Sequence, residues 1–141
     1  MSAIDRAREK LQEIFGFEDF LDGQEGVIEQ ILSGRDGSVV MPTGGGKSLC
    51  YQLPALCREG VTLVVSPLIA LMKDQVDALE ERGVAVTLIN STLTWNEQKE
   101  RLEGMKNGAF RLVYIAPERF RASSFMSCLL YTSDAADETC R

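Results

Sequence analysis

The stretch VVMPTGGGKS, residues 39–48, decides the fold of this chain. A short β-branched run leads into consecutive glycines, and Lys47 and Ser48 then open a segment with helical spacing. Glycines let the backbone wrap so that its N–H groups point at phosphate oxygens, and the start of the following helix adds partial positive charge. This layout predicts a phosphate-binding loop between a strand and a helix.

The end of this loop predicts its chemistry. Lys47 is placed to reach the β- and γ-phosphates of ATP, and the Ser48 hydroxyl to ligate Mg²⁺. The general pattern has glycine five residues before Gly46, where this chain has Met41. The alternative is a glycine-rich surface turn that happens to end in Lys-Ser, and the flanking strand and helix argue against it. The predicted phosphate-binding residues are Thr43, Gly44, Gly45, Gly46, Lys47 and Ser48.

Length and composition bound the class of protein. With 141 residues, of which 45% are hydrophobic, the chain suits one globular domain with a core. No apolar run approaches the roughly 20 residues of a membrane span, and residues 1–6 show no secretory pattern. We therefore expect a cytoplasmic protein with no membrane partner. The net charge of −6 gives no general attraction for nucleic acid, so a DNA partner must meet a local surface.

Cysteine usage points away from a metal site. Cys50, Cys57, Cys128 and Cys140 form no C-x-x-C pair, and the chain has no histidine. Zinc is therefore not expected. Cys50 and Cys57 lie seven residues apart on one predicted helix, which is typical of small buried residues in a reduced protein.

Hydrophobic spacing predicts helices alternating with strands. Two of the helices carry predicted capping boxes, Asp22 with Glu25 and Thr94 with Glu97. The run 61–65 is nearly all apolar, which predicts a strand buried on both faces. Alternation of this kind predicts an α/β fold with a mainly parallel sheet flanked by helices. The predicted helices are 5–15, 22–32, 49–58, 68–82 and 95–106, and the further strands are 61–65, 84–89 and 110–115.

Polar loops follow the predicted strands at their carboxyl ends. In a parallel sheet these ends share one edge, where functional residues collect. The phosphate-binding loop is one of them, and three more supply candidate residues. Each polar residue, taken singly, is equally typical of a loop residue that bonds its own backbone. The three further loops contain Ser66 and Pro67, Asn90 and Ser91, and Pro117 and Glu118.

Five segments together resemble the RecQ family of DNA helicases, within superfamily two. The similarity covers roughly residues 5–121. It implies a RecA-like P-loop motor domain that couples ATP hydrolysis to 3′-to-5′ movement along DNA, in unwinding for recombination and repair. The segments are FGFEDFLDGQ at 15–24, MPTGGGKSLCYQLPAL at 41–56, VSPLIALMKDQV at 65–76, NST at 90–92 and IAPERF at 115–120.

The resemblance assigns roles by position. Gln24 would hydrogen-bond the adenine edge, since an amide offers one donor and one acceptor, and Phe17 would lie against the ring. The family usually has arginine where this chain has Leu21, so a cationic stack on the other face of the base is lost. The residues that would line the single-stranded DNA track are Ser66, Pro67, Asn90, Ser91, Pro117 and Glu118.

The family's next motif, a strand ending in Asp-Glu-x-His, is absent. Asp137 and Glu138 follow no β-branched run and precede no histidine, so we reject them as catalytic. We expect residues 1–127 to be the N-terminal part of a helicase ATP-binding domain, truncated before that strand. Residues 128–141 resemble translated sequencing adapter and are expected to be non-native. The resemblance implies that the strand beside the phosphate loop comes from later in the chain, so we expect the isolated chain to be poorly stable and inactive.

Two other functions remain open on the sequence. A small-molecule kinase or other P-loop transferase would also use Lys47, but it leaves Gln24 and the loops at Ser66 and Pro117 without a role. A non-catalytic module that binds nucleotide or DNA is the second alternative. Replacement of Lys47 separates the enzymes from the module, and DNA-dependence of ATP hydrolysis separates the helicase from the kinase.

Overall fold

A computed structural model of the protein describes residues 2–42 and 46–121. The chain divides into two compact units, Met1–Glu59 and Gly60–Arg141. The first unit is helical, and the second is built on a parallel sheet. No helix in the described part of the chain combines the length and the apolar character that a membrane crossing requires.

The first unit begins with helix α1 (Ala3–Lys10), which continues as a π-helical turn, Leu11–Phe15. A capping box at Ser2 and Asp5 starts α1, a signal that the predicted boundary overlooked. Gly16 ends the turn in a left-handed conformation at φ 74°, as predicted for the close of this helix. The predicted apolar positions Ala7, Leu11 and Phe15 are buried.

Two further helices complete the first unit: α2 (Gln24–Leu32) and α3 (Leu49–Cys57). The predicted cap at Asp22 is wrong, because α2 begins two residues later behind Gly23, which is left-handed at φ 86° and makes no side-chain cap. Helix α3 lies where it was predicted, and it places Leu49 and Leu53 in the core.

The predicted strand before the phosphate loop is not formed. Residues 35–42 have no regular secondary structure, and Val40 is 96% exposed. A strand is held by hydrogen bonds to a neighbouring strand. The sheet in the described residues consists of three strands of the second unit: β1 (Thr62–Val65), β2 (Val86–Ile89) and β3 (Leu112–Ile115). The β-branched run at Val39 and Val40 is therefore not hydrogen-bonded to a neighbouring strand among the described residues.

The second unit alternates strands and helices as predicted. Its sheet is parallel in the order β1-β3-β2, with Val65, Ile115 and Ile89 aligned at the carboxyl ends. A 3₁₀ turn that the spacing did not predict follows β3. The elements are β1 (Thr62–Val65), α4 (Ile69–Glu81), β2 (Val86–Ile89), α5 (Trp95–Lys106), β3 (Leu112–Ile115) and the turn Pro117–Arg121.

The central strand β3 is buried at every position, whereas β1 is not. Leu63 is 37% exposed and Val65 is 53% exposed, so the prediction that β1 is buried on both faces is wrong. Leu68, the N-cap residue of α4, and Trp95, the first residue of α5, are also exposed although both are apolar. Residues Ile89, Leu102, Met105, Val113 and Ile115 form a buried cluster.

Candidate nucleotide and nucleic-acid site

The end of the phosphate loop forms the first turn ahead of α3. The Lys47 carbonyl accepts from Cys50 N at 3.1 Å, and the Ser48 carbonyl accepts from Gln52 N at 3.0 Å. The Lys47 side chain is exposed, and the Ser48 side chain makes no capping hydrogen bond. Both side chains are therefore available at a helix N-terminus, where an anion is favoured. The predicted residues Thr43, Gly44 and Gly45 lie outside the described residues.

Gly46 is fixed from two sides through its carbonyl oxygen. Gln24 Nε2 donates to it at 3.2 Å, and Cys50 Sγ donates at 3.7 Å. The chain contains no cis peptide among the described residues, so the Lys47 N–H points opposite to the Gly46 carbonyl. These two contacts therefore aim the Lys47 N–H away from Gln24 and Cys50. An oriented backbone N–H of this kind is what a phosphate-binding loop requires.

The backbone and the surroundings of Gly46 both favour glycine. Its φ of +75° is left-handed, and a Cβ built there would overlap Gln24 Nε2. Leu21 Cδ1 lies 3.5 Å from the same point. The segment with the predicted adenine contacts therefore packs directly against the last glycine of the loop.

Gln24 is placed beside the phosphate loop, but its amide is engaged with protein. The residue is 2% exposed, and Gln24 Oε1 accepts from Leu21 N at 2.7 Å while Nε2 donates to Gly46. The predicted pairing with adenine requires at least one of these bonds to be exchanged for a bond to the base. Phe17 is 50% exposed and Leu21 is 55% exposed, so both can contact a ring from outside.

Arg8 holds the segment between α1 and α2, a role that the sequence did not reveal. Its Nε lies 3.2 Å from Asp19 Oδ1, its Nη2 lies 2.6 Å from Glu25 Oε1, and its guanidinium stands 5.3 Å from the centre of the Phe20 ring. The hydrogen bond to Asp19 raises the pKa of Arg8. The Phe20 N–H lowers the pKa of Asp19, and Arg8 adds to that effect.

A contact with α3 accounts for Met41, the residue that departs from the general loop pattern. Cys50 Sγ lies 3.7 Å from Met41 Sδ, so the methionine packs on α3 beside the cysteine that holds Gly46. Burial raises the pKa of the Cys50 thiol, which keeps it protonated and able to donate. The prediction that Cys50 is buried is confirmed, whereas Cys57 is half-buried.

Three predicted loops meet at one edge of the sheet in the second unit. Ser66 N donates to Ile115 O at 3.2 Å, and Ala116 N donates to Ile89 O at 3.1 Å. Ser66, Asn90 and Ala116 are therefore level with one another at the carboxyl ends of adjacent strands. The prediction that these loops meet at the carboxyl edge of a parallel sheet is confirmed for β1, β2 and β3.

The polar side chains of these loops bond their own backbone. Ser66 Oγ accepts from Leu68 N at 3.2 Å, and Asn90 Oδ1 accepts from the N–H of Thr92 at 2.9 Å and from its hydroxyl. Asn90 is 3% exposed, so its side chain stabilises the loop and is not part of the loop's surface. The exposed surface belongs to Pro67 and Ser91. Pro117 and Glu118 are half-buried at the start of the 3₁₀ turn.

Gln98 and Arg119, neither of which is a predicted site residue, connect two of these loops. Gln98 Nε2 donates to Leu93 O at 3.0 Å and to Asn90 O at 3.4 Å. Arg119 Nη1 donates to Gln98 Oε1 at 3.2 Å. We call residues 90–93 the β2 loop and Pro117–Arg121 the β3 turn. No local sequence signal marks this pair, because Gln98 and Arg119 are 21 residues apart.

The described residues contain no cluster of three or more histidine, cysteine or acidic side chains that could hold a metal ion. The donor set at the phosphate loop suits a hard cation shared with a phosphate, because Mg²⁺ prefers oxygen ligands and is bound through few protein groups. The Ser48 hydroxyl at the start of α3 fits that arrangement.

Known proteins similar to this chain agree with these features. A family model described as DEAD/DEAH box helicase matches residues 22–135. The ATP-dependent DNA helicase RecQ of Bacillus subtilis (strain 168) is 51% identical over 127 residues, which are 89% of this chain and 22% of that protein. The RecQ of Haemophilus influenzae is 47% identical over 122 residues, 86% of this chain and 20% of that protein.

A eukaryotic relative agrees as well. The ATP-dependent DNA helicase Q5 of Rattus norvegicus is 47% identical over 128 residues, 88% of this chain and 13% of that protein. The chain thus spans about a fifth or less of the length of the curated relatives it matches. These matches confirm the resemblance to the RecQ family and the predicted RecA-like α/β fold.

Proposed function

This chain belongs to the DEAD/DEAH box helicase family, and from that membership we propose that it supplies the ATP-binding part of an ATP-dependent DNA helicase of RecQ type. The observation that carries the proposal is the coincidence of two findings. The relatives that match most of this chain are named as ATP-dependent DNA helicases. Lys47 and Ser48 directly precede α3, and the Gly46 carbonyl before them is bonded by Gln24 and Cys50.

ATP would bind at the phosphate loop in this proposal. Lys47 would contact the β- and γ-phosphates, and its N–H, aimed by the Gly46 contacts, would add a second donor. The triphosphate would be held further by the backbone of Thr43, Gly44, Gly45 and Gly46. Ser48 would hold Mg²⁺, which offsets negative charge on the phosphoryl group that is transferred.

The base would be recognised by Gln24 and Phe17. Gln24 begins α2 within hydrogen-bonding distance of Gly46, so contact with adenine and the position of the loop are coupled. Leu21 offers only apolar contact where the family usually has arginine, and we therefore expect weaker selectivity for adenine than an arginine would give.

Single-stranded DNA would run along the carboxyl edge of the sheet in the second unit. Ser66, Pro67, Asn90, Ser91, Pro117 and Glu118 would line this track, where hydroxyls such as that of the exposed Ser91, together with backbone N–H groups of the non-proline residues, would hold the phosphates without reading sequence. This kind of contact needs no basic surface, which reconciles DNA binding with a net charge of −6. Movement in the 3′-to-5′ direction and a role in recombination and repair belong to the same proposal.

We propose the domain boundaries as predicted, with residues 1–127 in the helicase ATP-binding domain and residues 128–141 non-native. The nucleotide sequence decides the second point. Codons for 128–141 that run on into a helicase gene would refute it. Asp137 and Glu138, which we reject as catalytic, lie outside the described residues.

A hybrid protein tests the function. Residues 1–121 of this chain replace the matching segment of the Bacillus subtilis relative, and ATP hydrolysis is measured with and without single-stranded oligonucleotide. We expect hydrolysis that DNA stimulates at least about tenfold, and strand separation on a duplex with a 3′ overhang. A hybrid that is folded by circular dichroism but hydrolyses ATP equally with and without DNA would favour a kinase-like P-loop enzyme and contradict the proposal.

A further inference from the structure

The contact between Arg119 and Gln98 joins two loops that start from different strands. Gln98 lies on α5, and its side-chain amide is fully used, because Nε2 donates to the carbonyls of Asn90 and Leu93 while Oε1 accepts from Arg119 Nη1. The β2 loop and the β3 turn are therefore linked through a single buried side chain, which is 3% exposed.

Both ends of this link are fixed locally. On one side, Leu93 N donates to Asn90 O at 3.3 Å, and Asn90 Oδ1 accepts from Thr92 N at 2.9 Å. On the other side, Arg119 N donates to Ala116 O at 3.0 Å. Each loop has its own short bonds, and the Arg119–Gln98 bond sets the position of one loop relative to the other.

The Arg119 guanidinium makes this bond in a position that leaves another of its nitrogen atoms buried without a hydrogen bond to the described residues. Its Nε is buried and has no hydrogen-bond partner among residues 2–42 and 46–121. A buried donor without a partner is costly, and native structures keep few of them. The guanidinium would regain water by turning outward, so its bond to Gln98 must be part of what holds it inward.

We propose that Arg119 and Gln98 are positioning residues that set the spacing of the β2 loop and the β3 turn for single-stranded DNA. The proposal rests on the proposed function of these loops. Gln98 is buried and acts without touching the ligand. Loss of either residue frees the two loops from each other and weakens DNA binding, while ATP hydrolysis at saturating DNA is retained.

Hydrogen exchange in the full chain tests the link without any DNA. We expect Arg119→Leu to speed exchange of the Leu93 amide, which belongs to the other loop, and Gln98→Leu to speed exchange of both the Leu93 and the Arg119 amides. The Ala116 amide, which bonds Ile89 O across the sheet, serves as the folding reference and should be unchanged. Arg121→Leu is the matched control, since it removes the same charge from the same turn. Unchanged exchange at Leu93 in Arg119→Leu overturns the inference.

DNA-stimulated hydrolysis in the hybrid protein tests the consequence. Loss of a charge-assisted hydrogen bond predicts a roughly tenfold higher concentration of oligonucleotide for half-maximal stimulation, with the maximal rate retained. Gln98→Leu should impair binding at least as much as Arg119→Leu, because it also removes the bonds to Asn90 O and Leu93 O, and the double variant should be no worse than Gln98→Leu, because the Arg119–Gln98 bond is then already lost. Effects that simply add, or an equal loss in Arg121→Leu, contradict the inference.

Salt dependence separates positioning from direct phosphate contact. Removing one phosphate contact on single-stranded DNA lowers the slope of log affinity against log salt by about 0.7. We expect the slope to stay at the parent value in Arg119→Leu, and a drop of that size would overturn the positioning role. Arg119→Lys, which keeps the charge, is the second variant in case Arg119→Leu misfolds. It should also weaken DNA binding. A parent hybrid without DNA stimulation refutes the proposed function instead, and the exchange result still decides whether the loops are linked.

Discussion

Gly46 is the residue on which the nucleotide site depends most directly. Its left-handed backbone lets the Gly46 carbonyl face Gln24 and Cys50, and the trans peptide then aims the Lys47 N–H in the other direction. The glycine pattern predicted the loop, but only the three-dimensional contacts show which side chains hold it.

Gly46→Ala should abolish this arrangement. The added Cβ overlaps Gln24 Nε2 and requires a positive φ, so we expect the variant to lose about 1–3 kcal/mol of stability and most of its nucleotide binding. Chemical denaturation and fluorescent-nucleotide binding measure the two effects. Gly26→Ala is the matched control: it lies within α2 with open space around it, and it should gain about 0.5–1 kcal/mol. Equal behaviour of the two variants would contradict this account of Gly46.

Single residues differ in how far the sequence reveals them. Lys47 and Ser48 could be assigned because their roles follow from a local pattern with a known mechanism. Arg8, Gln98 and Arg119 could not, because the bonds that define their roles join residues 11 to 21 positions apart, which become neighbours only in the fold.

At the scale of elements, helix caps show when a local signal is sufficient. Thr94 and Glu97 form the predicted box ahead of α5, with Thr94 N donating to Glu97 Oε1 at 3.0 Å and Glu97 N donating to Thr94 Oγ1 at 3.2 Å. Asp22 and Glu25 have the same spacing but form no box, because Gly23 turns the chain and Glu25 pairs with Arg8 instead. Long-range partners decide between two equal local signals.

The α5 box should make stability sensitive to acid. The Thr94 N–H lowers the folded pKa of Glu97 below its ordinary value, so the contribution of this bond is present above the unfolded pKa and is lost as pH falls through the folded pKa. We expect Glu97→Ala, which removes the carboxylate that accepts from Thr94 N, to lower the free energy of unfolding at neutral pH. The difference between parent and variant should shrink below about pH 4, as denaturation at several pH values would measure. A difference that is independent of pH would contradict a role for the ionised carboxylate.

At the scale of the whole molecule, a parallel sheet flanked by helices could be predicted from the sequence, but the strand order β1-β3-β2 and the burial of each strand could not. An apolar run such as 61–65 predicts a strand, and its sequence cannot show whether both faces will be covered. Here β3 is covered on both faces, whereas alternate residues of β1 stay exposed.

This exposed face should govern the behaviour of the isolated chain. We expect Val65→Thr to reduce association of the 141-residue chain with little change in its free energy of unfolding, because Val65 is 53% exposed. Sedimentation velocity and denaturation measure both. Val113→Thr is the buried comparison at 0% exposure and should cost roughly 1–3 kcal/mol. Association that persists unchanged in Val65→Thr would show that another surface of the chain mediates it.

The central claim is that the loop ending at Lys47 and Ser48 holds a nucleoside triphosphate, and equilibrium binding of labelled ATP to the hybrid protein tests it most directly. Lys47→Ala should weaken binding by roughly tenfold to a hundredfold through the loss of a charged phosphate contact. Lys99→Ala, which removes an exposed lysine from α5, should bind as the parent does. Binding of ATP by Lys47→Ala that equals that of the parent would contradict the account.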